Sequence, residues 1–171
     1  MEDECTGLYP GGGSGPLRGG CHHGAVLTDD ERTFLATARR AVLGTIAPDG
    51  RPRLVPICFV LAADEPVLYS PLDEKPKRMA DPLALARIRD IGADPRVTVL
   101  VDRWDEDWTR LAWLRCDARG SLRSPSAAGH RDIVAALRAK YPPYETHRLE
   151  DRPLIRIEIE RVTSWGLGDR S

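Results

Sequence analysis

Leu154 to Trp165 reads LIRIEIERVTSW, with Ile155, Ile157 and Ile159 at one parity and Arg156, Glu158 and Glu160 at the other. A period of two is the signature of a strand with one face in a core and the other in water. The segment before it, SAAGHRDIVAALRAKY from Ser126, has helical spacing and is ended by Pro142 and Pro143. Before that come two more strand-like runs, RVTVLVD from Arg96 and LAWLRCDARGSL from Leu111. Three strands and one helix thus occupy the C-terminal half.

The N-terminal half has the same character. TDDERTFLATARR offers Thr28 as N-cap and Glu31 as its capping-box partner, with Phe34, Leu35 and Ala38 on one face. AVLGTIA from Ala41 and RLVPICFVLA from Arg53 are strand-like and joined through Pro48, Asp49 and Gly50, a hairpin turn. PVLYS follows a turn at Asp64 and Glu65, so the expected order is a helix and then an antiparallel meander. Asp81 as N-cap and Pro82 at the first helical position precede Leu83, Leu85, Ile88 and Ile91, predicting a helix that stops near Gly92. Five or six strands without regular strand–helix alternation argue against a doubly wound parallel sheet. They predict a mainly β fold, a mostly antiparallel barrel with flanking helices.

At 171 residues, 42% apolar and 30% charged, the chain has the composition of one globular domain. Twenty-five basic residues against 26 acidic ones give no field that favours nucleic acid or an anionic membrane. Cys5, Cys21, Cys58 and Cys116 form no Cys-x-x-Cys pair and are read as reduced thiols in a cytoplasmic protein. No apolar run is long enough to span a bilayer. Residues 1–25 are Gly-rich and contain almost nothing to bury, so they are expected to be a disordered leader, with the domain over 26–171. Cys21, His22 and His23 lack the four-ligand spacing of a structural zinc site, and no metal is expected.

One stretch conflicts with simple electrostatics. SPLDEKPKRMADPL, from Ser70, places Lys75, Lys77 and Arg78 beside a predicted helix N-terminus that already carries partial positive charge. An anion such as a phosphate resolves the conflict; a solvated lysine-rich loop is the alternative. Asp73, Glu74 and Asp81 dilute the cluster and no aromatic interleaves it, which argues against a nucleic-acid patch. There is no dinucleotide fingerprint, Walker loop or nucleophile elbow. His130 and His147 read as surface residues, and Asp105, Glu106 and Asp107 as a hydrated acidic turn. Trp104, Trp108 and Trp113 suit a core corner, a dimer interface or a flat ligand.

Taken together, GRPRLVPICFVL, LYSPLDEKPKR, DPRVTVLVDRWDEDWTRLAWLRCDARG and IRIEIERVTSW resemble, in order, the pyridoxamine 5′-phosphate oxidase-like superfamily of flavin and deazaflavin oxidoreductases. More narrowly, they resemble its actinobacterial branch dependent on coenzyme F420, over about Leu27 to Trp165. The resemblance implies an FMN-binding split β-barrel, Greek-key-like, forming a homodimer with the cofactor in a groove between subunits. It implies that Lys75, Lys77 and Arg78 grip the cofactor phosphate and that the tricyclic ring lies along Leu54, Val55, Pro56 and Ile57. Tyr69 and Ser70 would end the neighbouring strand, and Trp108, Trp113 and Arg115 would reach the pocket across the interface. Met79 to Pro82 depart from the pattern as a small insertion between loop and helix.

The implied activity is hydride transfer between coenzyme F420 and an unidentified small molecule, the chemistry belonging to the cofactor and the protein supplying orientation and a dry face from Val55, Ile57 and Val60. Two rivals share the fold: an FMN-dependent enzyme, and a non-catalytic cofactor carrier. The C-terminal LIRIEIERVTSWGLGDRS carries no substrate-binding signature of true pyridoxamine phosphate oxidation.

Overall fold

Thr28 caps the first helix by the predicted reciprocal pair: its Oγ1 accepts from the Glu31 N–H at 3.3 Å, and Glu31 Oε2 accepts from the Thr28 N–H at 3.0 Å. The computed structural model describes residues 25–72 and 85–168. They form α1 (Asp29–Thr37), β1 (Ala41–Ile46), β2 (Pro52–Ile57), β3 (Val60–Leu61), β4 (Val67–Pro71), α2 (Ala86–Ala93), β5 (Arg96–Arg103), β6 (Ala112–Arg123), α3 (His130–Lys140) and β7 (Leu154–Trp165). Residues 1–24 of the expected leader, the basic stretch with Lys75, Lys77 and Arg78, and the Asp81–Pro82 cap lie outside the described residues.

All paired strands are antiparallel, and the seven form one sheet ordered β2-β1-β5-β6-β7-β4-β3. The fold class is therefore as expected, a mainly β, split-barrel architecture with flanking helices. The simple meander is not. The run from Arg53 breaks at Cys58 and Phe59, so β2 and β3 become separate strands on opposite edges of the sheet. Two residues span only ~7 Å, so the sheet curls until its edges adjoin at this corner. The Tyr141 hydroxyl holds the corner, accepting from the Phe59 N–H (3.0 Å) and donating to the Phe59 carbonyl (2.9 Å).

Inward residues of β1, β5, β6 and β7 fill the curl: Leu43, Val99, Val101, Leu114, Ile155 and Ile157 are fully buried. A second cluster, with Tyr69, Val134, Leu137 and Leu154, joins β4 to α3. Cys116 belongs to the first cluster, and its burial, aided by the nearby charges of Glu31 and Asp117, pushes the thiol up to about 12. Cys58 and Cys116 are both free thiols.

Three local expectations are corrected. The alternation of β7 is interrupted: Asp117 pairs with Arg161 but Ala118 with Ile159, leaving Glu160 as the extra residue of a bulge. Beyond it parity reverses, so Arg161 and Thr163 share the outer face with Asp117 and Arg115, their register partners. The helix expected from Ser126 starts at His130, because Gly129 adopts φ +76° and Ser124–Ala127 closes a turn (Ala127 N–H to Ser124 carbonyl, 3.1 Å). Leu85, expected within a helix, is extended and precedes α2. No helix among the described residues is long and apolar enough to cross a membrane.

Candidate functional site

β2 is one of the two edge strands of the sheet, and of its six residues only Ile57 is buried. Ala47 N–H donates to the Arg51 carbonyl at 2.9 Å, and the register pairs odd-numbered residues of β1 with odd-numbered residues of β2. Odd positions therefore make the ladder hydrogen bonds. The backbone groups of Pro52, Leu54 and Pro56 turn to the free edge. Pro52 and Pro56 have no N–H, which an edge tolerates; Leu54 has one, and no described strand pairs with it there.

Beside this edge, on the outer face, runs a groove of about 400 Å³ whose lining includes Gly44, Ile46, Pro52, Leu54, Thr98 and Asp117. That volume lies within the range of ligand pockets. Gly44 keeps its floor low: a Cβ there would meet Leu54 Cδ2 at 3.3 Å and the Thr98 carbonyl at 3.5 Å. Leu54 is 73% exposed. One wall is thus apolar. The far wall is charged, with Arg161 Nε donating to Asp117 Oδ2 at 2.9 Å and Arg115 Nε 3.5 Å from the same carboxylate. At the rim Arg96 clasps Asp94 at 2.6 Å, and its hydrogen bonds hold that carboxyl down at about 2.

Asp90 fixes the groove from beneath. It lies on α2 with 0% exposure. Its Oδ1 accepts from Arg53 Nη1 (2.8 Å) and its Oδ2 from the Thr45 hydroxyl (2.9 Å), tying β2 and β1 to one helix. A buried carboxylate with both oxygens satisfied is a positional constraint. The sequence reading passed over it. Its one signal was an acid between Ile88 and Ile91 on the apolar face of a short helix.

The other sequence-designated residues separate into groups. Leu54 and Pro56 face outward on β2, whereas Val55 is half-buried and Ile57 buried against the core. Trp113 is half-buried on the outer face, opposite Trp165 in the register and one row beyond Arg115. Tyr69 and Ser70 are buried in β4, whose described partners are β3 and β7 rather than β2. They lie around the Cys58–Phe59 corner from the end of β2. Lys75, Lys77 and Arg78 fall outside the described residues. Trp104 and Trp108 are 70% and 64% exposed, so the core-corner reading fails for both within the chain. The acidic turn is as expected: Asp107 caps the Trp108–Arg110 turn, and hydrogen bonds from Thr109 lower its carboxyl. His130 is corrected from surface to core at 2% exposure, because the first turn of α3 aims it with Val134 and Leu137 at the second cluster.

At the corner, Lys140 Nζ sits 4.3 Å from the Phe59 ring centroid and Arg39 5.0 Å from that of Tyr141. Burial, reinforced by Arg39, lowers the Lys140 ammonium to about 8. No group of three or more His, Cys, Asp or Glu among the described residues is placed to hold a metal ion.

The family described as pyridoxamine 5′-phosphate oxidase matches residues 27–166. Among solved structures, the chain is similar to a FAD-binding protein of Mesorhizobium loti, at 25% identity and TM-score 0.54 over 77% of this chain and 87% of that one. It is similar to an F420 reductase at 19% identity and TM-score 0.55, over 77% of this chain and 94% of that one. A heme storage protein of Vibrio cholerae shares the fold at 15% identity and TM-score 0.59, over 80% of this chain and 92% of that one. None of the curated proteins matches.

Proposed function

The chain belongs to the pyridoxamine 5′-phosphate oxidase family, and from that premise we propose that it is a flavin-type oxidoreductase whose cofactor is coenzyme F420, with FMN as the alternative. The observation that carries the reading is the free edge of β2 bordering a groove floored by glycine. A flat heterocycle needs a low floor, an apolar bed and a backbone donor at its rim. Gly44, Leu54 with Pro52, and the Leu54 N–H supply these in turn.

In this reading Leu54 and Pro56 contact the ring, while Val55 and Ile57 anchor the strand in the core. Asp90, through Arg53 and Thr45, keeps the bed from shifting. Lys75, Lys77 and Arg78 hold the phosphate. The bound deazaflavin supplies hydride transfer to or from a small molecule, and the protein contributes orientation and exclusion of water. Tyr69 and Ser70 support the barrel beyond the corner rather than touching the ring.

The outer face also supports a homodimer with the cofactor at the interface. Leu54, Leu100 and Trp165 are exposed there, and Trp104 and Trp108 are exposed after β5. A second copy would cover them and bring Trp113 and Arg115 toward the groove. The heme storage protein on the same fold shows that architecture alone does not choose the ligand.

Fluorescence titration of the purified chain with F420 and, in parallel, with FMN tests the assignment. Saturable binding of F420 that Lys75→Glu with Lys77→Glu weakens supports it. Preference for FMN overturns the deazaflavin assignment and leaves the barrel, and binding of neither removes the cofactor reading altogether.

A further inference from the structure

Lysine is scarce in this chain: only Lys75, Lys77 and Lys140 among its 25 basic residues, the rest being arginine. Of the three, Lys140 alone lies among the described residues. A guanidinium stays charged at any pH a protein meets, whereas an amine can give up its proton and become a nucleophile. At a half-buried corner, Lys140 therefore offers a chemistry that arginine cannot.

Lys140 closes α3, and its Nζ is bounded by three elements. Nζ lies 4.3 Å from the Phe59 ring centroid and 5.7 Å from that of Tyr141. It donates to the Leu35 carbonyl of α1 at 3.4 Å, a long bond. Just after α1, Arg39 stands 5.0 Å from the same Tyr141 ring. Two cations thus face one aromatic ring, and neither is ion-paired with a carboxylate among the described residues. The Tyr141 hydroxyl does not supply the missing anion. It is engaged with both backbone groups of Phe59, and burial pushes its ionisation up.

The other titratable groups that act on Lys140 are Arg39, which disfavours the ammonium, and the Cys58 thiol, which favours it. Burial is the larger influence and works in the direction of Arg39, so a substantial share of the amine is neutral near pH 8. What the corner lacks is one negative charge within the field of Arg39. An acyl donor would neutralise Lys140 and leave that lack unchanged; carbon dioxide turns the amine into an anion. Carbon dioxide is also small, linear and uncharged, so it can reach an amine held against two rings.

We infer that Lys140 is a carbon dioxide site, its Nζ converted reversibly to a carbamate that the charge of Arg39 stabilises. The Nζ lone pair attacks the carbon, an N–C bond forms, and one C–O π pair becomes the charge of the new carboxylate. One N–H proton passes to solvent, and nothing is oxidised or reduced. Neither Lys140 nor Arg39 lines the β2 groove, so this site is separate from the proposed cofactor bed.

The test exposes the full chain to 13C-bicarbonate near pH 8, traps carbamates as ethyl esters with triethyloxonium ion, and locates the label by peptide mass spectrometry. Nα-acetyllysine amide in the same solution is the reference for an ordinary amine. Because such an amine ionises at about 10.4, label at Lys140 should exceed it by at least about tenfold. Arg39→Ala, at an exposed position, should lower the occupancy about threefold, and Arg39→Lys, which keeps the charge, should retain it. No label at Lys140, label no greater than that of the reference, or occupancy unmoved by Arg39→Ala overturns the proposal. Because the readout is residue-specific and needs no cofactor, failure here leaves the F420 reading intact, and the reverse holds.

Discussion

Along β1, Ala41, Leu43 and Thr45 turn inward and are buried, whereas Val42, Gly44 and Ile46 turn outward and stay partly exposed. The same division runs through β5, where Val97, Val99 and Val101 are buried and Thr98, Leu100 and Asp102 are not. The inner face is closed on itself, branched apolar side chains meeting across the curl. The outer face mixes glycine, proline, leucine and paired charges around an open groove. One strand thus serves stability with one parity and recognition with the other, and each face can be disturbed while the other is left alone.

The largest effect should come from the inner face. Ile157→Ala, at a position buried between Leu68 and Gly120, should lower stability by about 2–5 kcal/mol in urea unfolding. A smaller loss would mean that the curl is loosely packed and the contrast between faces overstated. Asp90→Ala probes the link between faces. Removing the carboxylate leaves Arg53 and Thr45 without it, and stability should fall by about 1–3 kcal/mol. Hydrogen exchange should then quicken at the β1–β2 ladder amides more than at those of β6 and β7. Uniform acceleration would show that Asp90 supports the whole barrel rather than the ring bed.

The outer face should respond in binding and hardly in stability. Leu54→Pro removes a backbone N–H that the ladder does not use, as Pro52 and Pro56 already do on either side. The chain should fold with less than about 1 kcal/mol of loss and bind its cofactor about tenfold more weakly. Unfolding of this variant would sink the assignment of the free edge. Gly44→Ala should likewise preserve the fold, since the Cβ meets the end of the Leu54 side chain, and should raise the cofactor Kd by a similar factor.

The smallest effect concerns the corner. Lys140 ionises at about 8 instead of 10.5. Between those values this group binds more protons in the unfolded chain than in the folded one, so Lys140 contributes a gain in stability from about pH 8 upward, opposed from about pH 9 by the raised thiol of Cys116. Solvent screening of this half-buried group limits the gain to less than about 1 kcal/mol. Lys140→Met removes this contribution alone, so the unfolding midpoint of the variant relative to that of the parent chain should fall between pH 7 and pH 10.

Much of this was legible in the chain. The Thr28–Glu31 box, the Ala41–Arg53 hairpin and the alternation of Ile155, Ile157 and Ile159 are relations between near neighbours, and each is present as read. What escaped involved distant partners or one altered dihedral. The left-handed Gly129 moved the start of α3 by four residues relative to Ser126, and the Glu160 bulge reversed the outer parity of β7. His130 looked like a surface residue because nothing local says which way the first turn of a helix faces.

The sequence by itself determined where most of the strands and helices lie and that the strands do not alternate regularly with helices. Periodicity, caps and turn residues act over a few positions and leave their mark in order. Only the tertiary structure decided that β2 and β3 are opposite edges joined by two residues, that Asp90 reaches Arg53 and Thr45, and that Gly44 floors a groove beside a free N–H. These depend on which strands meet across the sheet, a choice made by the burial of all the inner faces at once.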